Sequence, residues 1–142
     1  GQLNVPCHAV FDGENNLYVA DSINGRVDMF DGGFKYKTNF RVGLVSRSQR
    51  PCAVITGEKS GKPYMAVTQP EMKRVFFFLL KEDAFRYISL GDRKGFSAVN
   101  PAGLAADSAG NLYILDTKTK SIARATIPKN AMNVNIPFPA RR

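Results

Sequence analysis

Asp12-Gly13-Glu14-Asn15-Asn16-Leu17-Tyr18-Val19-Ala20-Asp21-Ser22 returns ninety-five positions later, without a gap, as Asp107-Ser108-Ala109-Gly110-Asn111-Leu112-Tyr113-Ile114-Leu115-Asp116-Thr117. Each copy follows a proline-led stretch, Pro6-Cys7-His8-Ala9-Val10 in the first and Pro101-Ala102-Gly103-Leu104-Ala105 in the last. Between them Pro51-Cys52-Ala53-Val54 leads to Tyr64-Met65-Ala66-Val67-Thr68, a worn copy with one extra residue. A period of about 45 to 50 residues marks an array of like units that bury their faces only by stacking.

Each unit divides into four short strands separated by turn residues. In the first, the strands are His8 to Phe11, Leu17 to Ala20, Val27 to Phe30, and an alternating Tyr36, Thr38, Phe40 and Val42 against Lys37, Asn39 and Arg41. The second has Val54-Ile55, Tyr64 to Val67, Val75 to Leu80 and Phe85 to Leu90. Its run Val75-Phe76-Phe77-Phe78-Leu79-Leu80 is apolar on both faces, so both faces should be covered. The third has Leu104 to Ala106, Leu112 to Leu115 and Ile122 to Ile127, and closes on Met132, Val134 and Ile136 alternating with Asn133 and Asn135. No stretch carries helical periodicity with caps. The expected fold is all-β: three four-stranded antiparallel blades of a β-propeller, with boundaries at 1–46, 47–96 and 97–142. Small residues at Ala9, Ala53, Ala102 and Gly103 suit strands crowded near an axis.

The repeats resemble the NHL family. Gly1-Gln2-Leu3-Asn4-Val5-Pro6, then Asn16-Leu17-Tyr18-Val19-Ala20-Asp21, then Asn24, Arg26 and Val27 follow its pattern. The third unit keeps Asn100-Pro101, Gly110-Asn111-Leu112-Tyr113 and Asp116, with Lys120-Ser121 in place of Asn-x-Arg. The second keeps Pro51-Cys52 and Arg74-Val75, and puts Thr68 where Asp is expected. The resemblance implies a propeller, usually of six blades, so the chain reads as half a ring, completed by a second copy or by further blades. It opens on Gly1 rather than Met, which fits a piece of something longer. The family implies no single activity: it includes RNA-binding modules, protein-interaction platforms and a few metal-dependent lyases.

With 20 Lys and Arg against 12 Asp and Glu, the surface favours anionic partners. Antiparallel order sorts the loops onto two rims. Arg26, Arg47, Arg50, Lys73, Arg74, Arg93, Lys94, Lys118 and Lys120 outnumber the acids on one rim; Asp12, Glu14, Asp31, Glu58, Glu82, Asp83 and Asp107 outnumber the cations on the other. The basic rim is the expected binding face, for RNA or an acidic protein surface, with Phe96 as its one aromatic stacking candidate. A protein-interaction scaffold is the alternative, and a lyase fragment completed by missing blades a further one. His8 is the only histidine, so no multi-histidine metal site forms within this chain. Cys7 and His8, adjacent on a strand, point to opposite faces and make no catalytic pair. The expectation is therefore a non-enzymatic module without cofactor. Asp21 and Asp116 read as turn-forming residues. Cys7 and Cys52, in equivalent slots, read as unpaired, small, buried residues of an intracellular, cytoplasmic protein. No apolar run is long enough to span a membrane.

Overall fold

A computed structural model describes residues 2–42, 50–81, 84–89 and 100–126, with the backbone alone for 84–89 and 126. Every strand in it is antiparallel to its neighbours. The first sheet is a meander of β1 (Pro6–Phe11), β2 (Leu17–Asp21), β3 (Arg26–Phe30) and β4 (Tyr36–Arg41). The second is β5 (Val54–Lys59), β6 (Lys62–Gln69), β7 (Arg74–Leu79) and β8 (Ala84–Ser89). The third has β9 (Pro101–Ala106), β10 (Asn111–Asp116) and β11 (Ser121–Thr126). The expected closing strand at Met132, Val134 and Ile136 lies outside the described residues.

The repeated sequence works as a turn. Asp12 Oδ1 accepts from the backbone N–H of Glu14 at 2.9 Å and of Asn16 at 2.8 Å. Its Oδ2 accepts from Asn16 Nδ2 and from the Tyr18 hydroxyl, both at 3.0 Å. Asp107 repeats this bond for bond: Ala109 N at 3.0 Å, Asn111 N and Nδ2 at 2.9 Å, Tyr113 hydroxyl at 3.1 Å. One carboxylate thus satisfies the donors of the β1–β2 or β9–β10 turn and ties it to the strand beyond. Asn15 and Gly110, at the same turn position, both adopt positive φ (64° and 80°), which explains why Asn stands in one copy and Gly in the other.

The sheets stack in chain order. Tyr18, Ala20, Val27, Phe40 and Val42 of the first half-unit pack against Val54, Met65, Val67, Phe76 and Phe78 of the second. On its other face the second sheet offers Tyr64, Ala66, Val75, Phe77 and Leu79 to Leu112 and Ile114 of the third. The even-numbered residues of β7 therefore face one neighbour and the odd ones the other, as its two-sided apolar run predicts. Phe40 and Phe78 meet edge-on at 5.6 Å between sheets, and Tyr64 and Phe77 at 6.1 Å within the second. Each such buried side chain contributes about 1.5–3 kcal/mol.

The ladder corrects one sequence alignment. Gln69 pairs with Arg74 as Asp21 pairs with Arg26 and Asp116 with Ser121, so Gln69, not Thr68, occupies the aspartate slot of the middle unit. Four-residue turns follow in all three units, and their last residues, Gly25, Lys73 and Lys120, share a left-handed conformation with φ of 65°, 52° and 55°.

Candidate functional site

The innermost strands of the sheets lie side by side, fastened by side chains that reach across to backbone. Exposed His8 accepts the Val54 N–H at its Nδ1 (3.2 Å), and Thr56 Oγ1 donates to the Phe11 carbonyl (2.8 Å). Thr68 Oγ1 accepts from Ala53 N (2.9 Å) and donates to the Ala102 carbonyl (3.2 Å), which ties the second sheet to the third. A backbone N–H aimed at Nδ1 leaves the imidazole proton on Nε2. Held this way, His8 presents a hydrogen-bond donor to the surroundings, and neither nitrogen has a lone pair free to act as base or metal ligand.

Cys7 and Cys52 are free thiols at the head of this seam. Contrary to the expectation of two buried residues, Cys7 is exposed and Cys52 half-buried. The register of β1 shifts between Pro6 and His8, and the Cys7 sulfur rests 3.3 Å from the carbonyl oxygens of both Pro51 and Cys52. Burial pushes the Cys52 thiol up, and the neighbouring Cys7 adds to this.

The basic rim is only partly a free cationic surface. Arg47, Arg93, Lys94 and Phe96 lie outside the described residues. Lys73, Lys118 and Lys120 stand exposed at the turns between second and third strands; exposed Arg50 brings its backbone N–H within 3.4 Å of Glu71, and half-buried Arg74 opens β7. Arg26 is committed to its own sheet: its Nε lies 3.0 Å from Asp28 Oδ1, 3.1 Å from Asp28 Oδ2 and 3.4 Å from Asp21 Oδ2. Asp21 also accepts from Asn4 N and Asn24 Nδ2, both at 2.6 Å. Asp21 and Asp28 are almost wholly buried. Burial raises the Asp28 carboxyl, Arg26 works against that, and the adjacent Asp21 carboxylate raises it further. Asp28 is the group the sequence reading missed, although Arg26-x-Asp28 on a strand puts both on one face. Asp116 does form the expected turn, accepting from Lys118 N and Thr119 N at 2.9 Å and from Asn100 N at 3.0 Å. Among the described residues, the loops of this rim carry no aromatic ring on which a base could stack.

Among the described residues, one concavity lies on the opposite rim. A cleft of about 580 Å³ opens between first and second sheets, with Met29, Phe40 and Leu80 beneath and Asp12, Glu14 and Glu58 at its lip. Lys81 Nζ reaches across it to Glu14 Oε1 at 3.3 Å, both side chains mostly in solvent. Among the described residues no three His, Cys, Asp or Glu side chains are placed to hold a metal ion, and no helix is long and apolar enough to cross a membrane.

No family model and no curated protein matches the chain. Solved structures do. The chain is similar to a protein of unknown function from Bacteroides caccae, 15% identical over 76% of this chain and 37% of that one, with a TM-score of 0.61. It is similar to selenomethionine-substituted virginiamycin B lyase from Staphylococcus aureus, 11% identical over 91% of this chain and 43% of that one, TM-score 0.62. A catalytically inactive variant of that lyase, solved with quinupristin, matches over 92% of this chain and 44% of its own, 11% identical, TM-score 0.63. The chain thus spans less than half the length of these proteins. At such identity the likeness is one of fold, an all-β stack of antiparallel sheets in the manner of a β-propeller. It corrects the expectation of a non-enzymatic class, since two of the likenesses are lyases. A single histidine was no argument against catalysis in a chain that spans less than half of such an enzyme.

Proposed function

We propose that this chain forms three consecutive blades, at 1–46, 47–96 and 97–142, of a β-propeller enzyme of the lyase class, and that further blades complete its ring and its active site. The carrying observation is the superposition of more than nine-tenths of the chain on less than half of virginiamycin B lyase. The exposed apolar side chains of the third sheet's outer face, Leu115 and Ile122, support it, because each inner sheet face of the stack is covered by a neighbour. The NHL character of the repeats belongs to the same reading and is supported by the duplicated aspartate–asparagine–tyrosine turn.

On this reading His8 contributes a hydrogen bond from Nε2 to a substrate near the axis, where it would orient or polarise an oxygen. The described residues do not fit a metal centre, so proton abstraction and any metal site belong to groups elsewhere in the ring. Nothing among the described residues supports RNA binding on the basic rim: Arg26 is paired within its own sheet, and no aromatic ring stands in the described loops. The test is turnover: the protein is incubated with quinupristin, the molecule bound by the structural likeness, and the products are followed by mass spectrometry. An elimination gives products with a new carbon–carbon double bond and no added water. Cleavage with the mass of one water added, or no turnover alongside salt-sensitive binding of single-stranded RNA, would overturn the proposal.

A further inference from the structure

The seam between β1 and β5 ends in two free thiols. Three contacts of nearly constant offset run along it: Thr56 to Phe11, Val54 to His8, and the Cys7 sulfur to the carbonyl oxygen of Cys52 itself, at 3.3 Å. The first two hold the strands at a fixed distance and register, so the two cysteine side chains cannot drift apart without breaking them. The register of β1 shifts between Pro6 and His8, and the Cys7 sulfur lies across the seam, 3.3 Å from the carbonyl oxygens of both Pro51 and Cys52. The two sulfurs also differ in access, Cys7 being open to solvent and Cys52 half-covered.

From this geometry we infer that Cys7 and Cys52 form a redox-reactive dithiol that closes a reversible disulfide between the first two sheets, with a low-molecular-weight disulfide such as oxidised glutathione as the oxidant. The exposed Cys7 thiol loses its proton to solvent and its sulfur attacks one glutathione sulfur; the glutathione S–S bond breaks and one glutathione thiolate leaves. Cys52, deprotonated in turn, attacks the Cys7 sulfur of this mixed disulfide and expels the second glutathione. Two thiols are oxidised by two electrons, one glutathione disulfide is reduced to two thiols, and the two protons end on those products. The order follows from access: Cys7 is the attacking thiol and Cys52, harder to ionise, the resolving one. The bond encloses the whole first unit in one covalent loop, which restricts the unfolded chain strongly.

The experiment treats the protein with oxidised glutathione and maps its peptides without reduction. The expected result is an intramolecular Cys7–Cys52 link, a mass lower by two hydrogens, and a Tm higher by about 5–10 °C that dithiothreitol reverses. In Cys52→Ser, Cys7 should instead retain one glutathione, with the far-ultraviolet circular dichroism unchanged. Wild-type protein that ends with glutathione on Cys7 and no Cys7–Cys52 link, or that links two chains through Cys7, overturns the inference. Should Cys52→Ser misfold, the wild-type peptide map decides alone.

Discussion

Asp12→Ala and Asp107→Ala delete the same four hydrogen bonds from two copies of one turn, but the two turns differ in burial. Tyr18, whose hydroxyl donates to Asp12 at 3.0 Å, is 2% exposed, whereas Asp107 is exposed and its Tyr113 is half-buried. Losing Asp12 strands the Tyr18 hydroxyl under the first sheet's packing, at about 1–3 kcal/mol for an unsatisfied buried donor. The Glu14 and Asn16 N–H groups lie in an outer turn and exchange the carboxylate for water, which adds roughly 0.5 kcal/mol after solvent screening. The sum is about 1.5–3.5 kcal/mol, a fall in Tm of roughly 5–10 °C for a chain of this size. Asp107→Ala should fall clearly less, because its partners regain water. Thermal unfolding followed by circular dichroism reads both, and Tyr18→Phe supplies the control. In that background the Asp12→Ala loss should shrink to about 0.5 kcal/mol, the coupling expected of groups in contact. Equal losses at the two sites, or a loss untouched by Tyr18→Phe, would refute the assignment of the turn's energy to the buried tyrosine.

Four further expectations follow from particular contacts. Gly57→Ala puts a Cβ 2.6 Å from the hydroxyl of Tyr64, its buried cross-strand partner, and should destabilise by about 1–3 kcal/mol in urea unfolding, while Gly103→Ala meets only the exposed and movable Leu115 and should change little. Arg26→Gln leaves the buried Asp21 and Asp28 side by side without a counter-charge and should destabilise by about 3 kcal/mol, partly restored by adding Asp28→Asn; a surface cation reserved for a partner would show no such effect. Hydrogen bonds from the Asn111 side chain and backbone lower the Asp107 carboxyl from 3.8 to about 2. Its folded pKa lies below the unfolded one, so its contribution is complete above pH 3.8 and disappears as the pH falls toward 2; Asp107→Asn should flatten the Tm–pH curve in that window and nowhere above it. Lys73→Gly and Lys120→Gly relieve a left-handed backbone and should each be neutral or stabilising by up to about 1 kcal/mol, read as an unchanged or raised Tm.

The parts of this fold that were legible in the sequence are those where one residue has one physical solution. A carboxylate followed at four and six residues by Asn and Tyr closes a turn, and a six-residue apolar run must be covered on both sides, as β7 is. The slot of Gln69 was misread because identity was sought letter by letter, whereas strand pairing alone decides position and β6 is longer than its counterparts. Burial of the cysteines was misjudged because residue type alone does not show that Cys7 lies at a register shift on an edge strand, open to solvent. Sorting charges by rim counted Arg26 as free because it passed over the Arg26-x-Asp28 spacing, which puts both side chains on one face of β3. The expectation of no enzyme rested on the residues of a chain that spans less than half the length of the lyase structures it resembles, and those residues say nothing of the rest.

Hydrogen exchange followed by mass spectrometry tests the stacked architecture most directly. If the second sheet is enclosed between its neighbours, the amides of β6 and β7 should exchange slowest in the protein, well after those of β1 on the exposed inner edge and β11 on the third sheet's open side. Exchange of β7 as fast as that of β1 or β11 would contradict a covered middle sheet, and with it the reading of this chain as consecutive blades.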